Sequence, residues 1–402
     1  MSHDSGRAAT VTGPWAEWTD DRTEAIAQAG QWRSVRAFDA AGPVGRLDDG
    51  TPGGRPVTSF ASNDYLGLSA HPALAAAAVD AIGRWGTGSG AARLVVGSRP
   101  IHHDLEDALA DWRGTDAALV LPTGFAANLA ALTTFGDRRT RIISDELNHA
   151  SIVDGCRLAR AEVAIYPHGD VDRLEGELER ADRDGVERTI VVTDTVFSMD
   201  GDVAPLDAIL DRCRAHASML IVDEAHAVLG PSLADHDTDG VEVVRVGTLS
   251  KALGSLGGFI AASARLVDLV VNLARPFIFT TAPTPADSAA ALAALDVVRG
   301  PEGDELRARL RGHIDRLAPG HPSPILPVVV GGEDETVALA TALLQRGILV
   351  PAIRPPTVPP GTSRLRIALS AAHTDAQIDQ LADALQQLTD PSLTSLPGAS
   401  PS

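Results

Sequence analysis

The chain has 402 residues, 44% of them hydrophobic and 22% charged, with a formal net charge of −19. That size and apolar share suffice for a large domain and a smaller one, each with its own core. So acidic a chain repels nucleic acid and anionic membrane surfaces, and no apolar run reaches the ~18 residues of a membrane span.

In chain order, residues 1–55 are polar and rich in Gly and Pro, and read as an N-terminal arm with a helix near 15–38. Its first residues lack the apolar centre of a signal peptide. Residues 74–85 are alanine-rich and helical, 86–97 form a glycine loop, and a helix follows at 103–112. Short apolar runs at 117–121, 141–144, 163–166, 189–194, 219–223, 243–247 and 259–262 then alternate with helical segments. Strands buried on both faces and separated by helices imply a mostly parallel α/β sheet, with functional residues at the strand ends. A long helix spans 286–299. Beyond it, strands at 325–330, 348–350 and 364–368 with helices at 335–346 and 374–388 predict a small α+β domain. The expected organisation is an arm at 1–55, a large domain at 56–298, a small domain at 299–389 and a disordered Pro- and Ser-rich tail at 390–402. Cys156 and Cys213 show no metal-type spacing and no disulfide framework, which reads as a reducing cytoplasm.

The chemistry centres on Lys251, in Gly247-Thr248-Leu249-Ser250-Lys251-Ala252-Leu253-Gly254. A lone lysine is usually a solvated charge. This one sits among small residues at a strand end, downstream of Asp223-Glu224-Ala225-His226. An amine able to form a Schiff base, with a carboxylate to keep a pyridine nitrogen protonated, is how an enzyme holds pyridoxal 5'-phosphate, PLP. Asp223 alone would read as a helix cap, and a Walker-type reading fails because no GxxxxGK[ST] occurs. Thr123-Gly124-Phe125-Ala126-Ala127-Asn128 opens a helix and offers backbone amides to a phosphate, or is an ordinary turn. His149 could stack on a planar ring or be a loop histidine. Ser198 could bond a ligand; Asp200 and Asp202 could bind metal or build a turn, and the spacing supports no calcium loop. Gly86–Ala91 formally matches a dinucleotide fingerprint, but it follows a helix rather than a strand. Arg364 and Arg366 share one strand face behind a loop stiffened by four prolines. In an acidic chain such an arginine reads as a carboxylate clamp, against the alternative of a surface ion pair.

These residues together resemble the α-oxoamine synthases, PLP enzymes of fold type I (aspartate aminotransferase-like). The similarity runs from Ala61-Ser62-Asn63-Asp64-Tyr65-Leu66-Gly67-Leu68 to about Leu388. The stretch from Ala352 to Arg366 looks like that of the members condensing L-alanine with a pimeloyl thioester, on CoA or acyl carrier protein, to 8-amino-7-oxononanoate in biotin biosynthesis. Sister activities are glycine C-acetyltransferase, 5-aminolevulinate synthase and serine palmitoyltransferase. By this resemblance Lys251 would carry the cofactor and move the Cα proton. Asp223 would pair with the ring nitrogen, His226 with the ring hydroxyl, and His149 with the ring face. Gly124, Phe125 and Thr248 would bind phosphate, and Ser198 would line the cofactor site. Thr280 and Thr281 would reach the phosphate of the neighbouring subunit in a homodimer with shared sites. Asn63 and Arg366 would hold the amino-acid carboxylate, and Thr357 would sit at the lid. Arg33 or Arg36 would meet the distal acyl carboxylate. The resemblance implies no metal.

Overall fold

A computed structural model describes residues 12–230 and 232–388. The expected tail at 390–402 lies outside the described residues. Two compact units emerge: residues up to Asp39 with Arg46–Arg55, and Ala40–Gly45 with the chain from Pro56 onward.

In the first unit a helix spans Pro14–Gln28, ten residues short of the expected end at 38. Gly30 stops it. Its φ of 65° is left-handed, and the amides of Gly30 and Gln31 turn back onto the carbonyls of Ala27 and Ile26, each at 3.0 Å. This double closure satisfies the last carbonyls and ends the helix. Phe38 instead opens a short strand, Phe38–Ala40.

The second unit is built on a seven-stranded sheet. Its strands, in spatial order, are Ala117–Leu121, Gly258–Ala262, Val243–Thr248, Met219–Asp223, Arg188–Asp194, Thr140–Asp145 and Glu162–Tyr166. Gly258–Ala262 runs antiparallel to both neighbours, and every other pair is parallel. All seven expected strands are present. The reason is visible in their composition: Ile142, Ile143, Val191, Val192, Leu220, Ile221, Val222, Val244 and Val246 are fully buried, as β-branched and aliphatic runs covered on both faces must be. Helices Gly124–Phe135, Ala150–Leu158, Val171–Arg183 and Leu206–Ala215 connect consecutive strands. The fold is α/β, a large mostly parallel sheet with helices on both faces.

The glycine loop at 86–97 is not all loop. Arg93–Gly97 winds into a single π-turn, with the Arg93 guanidinium held by both oxygens of Glu106 at 2.9 Å. Towards the C-terminus, Ile325–Gly331, Ser363–Ala368 and Ala352–Ile353 form a three-stranded antiparallel sheet. Thr58 and Ser59 pair in parallel with Ile348 and Leu349. One hydrophobic cluster runs continuously from Leu105, Leu109 and Phe259 to Ile314, Leu365 and Ile378. Among the described residues no helix is long and apolar enough to cross a membrane.

Candidate active site

The carboxyl ends of the central strands open onto a cavity of about 190 Å3. Seven residues singled out in the sequence line it: Gly124, Phe125, His149, Asp223, His226, Thr248 and Lys251. Strand direction brings them together, since in such sheets the loops after the carboxyl ends meet on one side.

Asp223 ends a buried strand and is held from two sides. Asn128 Nδ2 donates to its Oδ2 at 2.7 Å, and the Ala225 amide to its Oδ1 at 2.9 Å. Asn128 also donates to Ser151 Oγ at 2.9 Å, which leaves the Ser151 hydroxyl to donate to His149 Nδ1 at 2.7 Å. Asp223 and His149 are thus joined through one asparagine and one serine. Burial holds the His149 imidazole below its ordinary range, so it is neutral.

Lys251 Nζ donates to His226 Nε2 at 2.8 Å. Burial lowers the lysine from its ordinary value, against the pull of Asp223 and Asp194. Burial, reinforced by Lys251, holds His226 well below its ordinary value. A neutral His226 with Nε2 accepting must carry its proton on Nδ1, and it donates there to the Tyr65 oxygen at 2.6 Å. The Tyr65 hydroxyl then donates to Asn63 Oδ1 at 3.0 Å, which also receives an Arg366 Nη at 3.1 Å. Arg366 Nε donates to the Ser198 carbonyl at 2.5 Å. An unbroken path therefore runs Lys251–His226–Tyr65–Asn63–Arg366. Arg366 faces it because Leu365 and Ile367, its neighbours on the strand, are fully buried on the other side. Arg364, on the same face, pairs with Asp200.

Asp194 lies opposite Asp223 in strand register and also lines the cavity. It is buried, and its Oδ1 has no hydrogen-bond partner. Burial, then the charge of Asp223, push its carboxyl well above the usual range. One carboxyl is thus bonded by two donors, while burial biases the other toward its protonated form.

The residues fit PLP. The first-turn amides of Gly124 and Phe125 have no acceptor within the helix and could receive an anion, with the helix dipole behind them. Thr123 Oγ1 caps the next amide, Ala126 N, at 3.0 Å. The turn is pressed against Gly258, where a Cβ would come within 2.4 Å of the Thr123 carbonyl carbon; only glycine admits that approach. Lys251 supplies the amine and Asp223 the carboxylate.

Other residues from the sequence lie elsewhere. Ser198 meets Arg366 through its carbonyl and does not border the cavity. Thr280 is half-buried and Thr281 exposed, and neither borders it. Thr357 is exposed, its amide bonded to the Arg354 carbonyl at 3.0 Å. Arg33 and Arg36 are exposed in the first unit. Asp200 and Asp202 build ion pairs with Arg364 and His168, and no metal-holding cluster occurs among the described residues. The roles of Tyr65, Asn128, Ser151 and Asp194 were not read from sequence. Tyr65 carried a signal in lying two residues from Asn63, as did Asp194 in ending the strand beside Asp223. A larger cleft, about 940 Å3, shares no lining residue with the cavity and gathers Arg138, Arg139, Arg157, Arg160 and Arg275. It is a local basic surface that the composition conceals.

Residues 55–385 match the family described as aminotransferase class I and II. An 8-amino-7-oxononanoate synthase from Anaeromyxobacter dehalogenans is 48% identical over 96% of this chain and 98% of its own. One from Paraburkholderia xenovorans is 46% identical over 84% and 90%. Among solved structures, a serine palmitoyltransferase from S. paucimobilis with a bound PLP–myriocin aldimine superposes with a TM-score of 0.83 at 28% identity, covering 92% of this chain and 96% of that one. An 8-amino-7-oxononanoate synthase from Francisella tularensis does so with a TM-score of 0.68 at 26% identity, covering 83% and 96%. The backbone is common to this whole branch, and the high identity over nearly the full length decides within it: the chain belongs to the aminotransferase class I and II family and, inside that family, to the 8-amino-7-oxononanoate synthases.

Proposed function

We propose that the chain condenses L-alanine with a pimeloyl thioester, releasing carbon dioxide and the free thiol and giving 8-amino-7-oxononanoate for biotin biosynthesis. The observation that carries this reading is the hydrogen-bonded path from Lys251 to Arg366, which sets an amine and a carboxylate clamp at opposite ends of one network. The choice of alanine and pimeloyl groups follows the relatives.

When bound, PLP supplies an electron sink for negative charge formed at the amino-acid Cα. Lys251, its pKa lowered by burial, takes the Cα proton and later returns one. His226, neutral and fixed by Tyr65, accepts from Lys251 and so holds Nζ over the cavity. Arg366 and Asn63 grip the substrate carboxylate; the same carboxylate departs as carbon dioxide after the carbon–carbon bond has formed. Asp223 would hold the proton on the ring nitrogen, His149 would pack on the ring face, and Gly124, Phe125 and Thr248 would hold the phosphate.

The working form is a homodimer with shared sites. Support comes from exposed apolar side chains on two segments, Leu94, Val95 and Val96 on one and Phe279 on the other, with Val95 73% and Phe279 69% exposed. The Ala282 amide bonds the Ala91 carbonyl at 3.0 Å and ties these two segments together. Such a patch marks a protein contact, and Thr280 and Thr281, next to Phe279 in the chain, serve a neighbouring subunit's phosphate. Residues 56–298 act as the cofactor domain and 299–389 as the small domain, with Thr357 at its lid. Ser198 acts through its carbonyl, which holds Arg366. Arg33 or Arg36 meets the distal acyl carboxylate. The enzyme works in the cytoplasm, with the thioester carried on CoA or acyl carrier protein.

The test is the visible absorption of the purified holoenzyme. L-alanine should shift the cofactor band where glycine and L-serine do not, and pimeloyl-CoA should then yield 8-amino-7-oxononanoate and carbon dioxide. A band that answers to glycine or serine instead moves the protein to a sister activity. No cofactor band after incubation with PLP overturns the reading.

A further inference from the structure

His168 lies outside the cavity and has no part in the chemistry described so far. Its ring bridges two carboxylates. Nδ1 donates to Asp145 at 3.1 Å, and Nε2 donates to Asp202 at 2.5 Å. Its amide is also bonded, to Glu146 at 2.9 Å, and the next amide, Gly169, to Asp145 at 3.1 Å. The edge of the ring packs on Phe197, centroids 4.3 Å apart at 80°. The imidazole is therefore fixed in position, orientation and charge.

The two carboxylates belong to different loops of the site. Asp145 ends the strand that leads to Asn148 and His149. Asn148 reaches across to the Val192 carbonyl and accepts from the Asp194 amide, at 2.8 and 2.9 Å. Asp202 stands in the turn closed by the Val196–Val203 bridge, in which the Phe197 amide bonds the Asp202 carbonyl at 3.0 Å. That turn has two further anchors. Arg364 pairs with Asp200, and Arg366 Nε donates to the Ser198 carbonyl. At its tip Gly201 has φ 70°, and a Cβ there would lie 2.1 Å from the Ile325 carbonyl. The turn is thus wedged between His168 on one side and the strand bearing Arg366 on the other.

We propose that His168 is a positioning residue for amino-acid binding: bridging Asp145 and Asp202, it sets the Val196–Val203 turn, whose Ser198 carbonyl aims Arg366 at the substrate carboxylate. The proposal rests on the reading of Arg366 as the carboxylate clamp. Ser198 occupies one guanidinium nitrogen and Asn63 another, so the donors left for a substrate are set by where the turn stands. Hydrogen bonds to Asp145 and then Asp202 push His168 up to about 10, which keeps it a cation at any neutral pH. A neutral side chain of the same reach would hold one loop and release the other.

The experiment uses the holoenzyme and two single variants, His168→Gln and Asp202→Asn, titrated by cofactor absorbance with L-alanine and separately with ethylamine, which has the amine and lacks the carboxylate. Both variants should weaken L-alanine roughly ten-fold and raise its KM alike, with kcat within about two-fold, since displacement of a binding group by a fraction of an ångström costs on this order. Ethylamine should bind as in the wild type, and the double variant should be no worse than either single one. Equal weakening of both amines, or loss of stability with L-alanine affinity intact, overturns the proposal and leaves His168 a structural ion pair. Arg366→Ala separates the two levels. If it weakens L-alanine while His168→Gln does not, only the proposal fails; if it leaves L-alanine affinity unchanged, the clamp reading itself fails.

Discussion

Replacing Tyr65 by phenylalanine asks whether the amine and the carboxylate clamp act as one network. Tyr65 is fully buried, and burial pushes its hydroxyl up to about 12, so it is a donor at every working pH. It accepts from His226 Nδ1 at 2.6 Å and donates to Asn63 at 3.0 Å. Phenylalanine keeps the ring and opens no cavity larger than one oxygen. It leaves the buried His226 N–H without an acceptor and frees Asn63 to turn. An unsatisfied buried group costs about 1–3 kcal/mol. Taking ~2 kcal/mol, and tenfold per ~1.4 kcal/mol, the full effect expressed in binding is roughly a thirty-fold loss of L-alanine affinity. Whatever does not appear in binding appears in folding stability. The assay is therefore paired: an absorbance titration with L-alanine and a urea unfolding midpoint on the same preparation. PLP affinity should hold, because the partners of Asp223 are Asn128 and Ala225, which the substitution does not touch. A Tyr65→Phe enzyme with wild-type alanine affinity and a wild-type midpoint would refute the reasoning.

Arg366→Lys keeps the charge but cannot bond Ser198, Asn63 and a carboxylate together; L-alanine KM should rise about ten- to a hundred-fold in steady-state assays, as for the loss of one or two charge-assisted bonds. Burial lowers His102, His149, His226 and His373 from 6.5. As pH falls through that value the unfolded chain takes up protons first, so stability should decline below it, read as urea midpoints against pH. His168 has the opposite sign: its contribution is full below 6.5 and is lost as pH rises through about 10, so His168→Gln should flatten the alkaline limb. Cys156 and Cys213 are buried, and burial pushes their thiols up to about 11 and about 12. Neither should react with a thiol reagent at pH 8 until denaturant is added; rapid labelling of the native enzyme would contradict the packing.

The sheet was legible because its strands are apolar on both faces and bounded by polar residues. A run such as Leu220-Ile221-Val222 has one environment it can occupy. The strand-end residues Asp223, His226 and Thr248 followed from that, since strand direction alone puts them on one side of the sheet. The helix from Pro14 was overextended because Gly30, a stop signal in its own right, was passed over. The loop at 86–97 concealed a π-turn that its glycines gave no reason to expect. What sequence could not give is pairing at a distance. Tyr65 and His226 are 161 positions apart, and Asn63 and Arg366 are 303 apart. Asp200 and Asp202 raised the question of a metal because their cations, Arg364 and His168, lie 164 and 34 positions away. Local spacing shows which groups are available; the topology decides which of them meet.

The pairing of Thr58 and Ser59 with Ile348 and Leu349 bears on how the protein is made. On a ribosome the earlier segment emerges 290 residues before its partner, a wait of roughly 15–60 s at ~5–20 residues per second. The Ala117–Leu121 strand waits likewise, since its one neighbour in the sheet is Gly258–Ala262. Meanwhile the nascent chain exposes one side of its nucleus, the apolar residues of the continuous cluster that Leu365, Ile367 and Ile378 later cover. Products truncated before Leu365 should therefore carry the whole seven-stranded sheet and still fail to close, and these are the species a chaperone would retain.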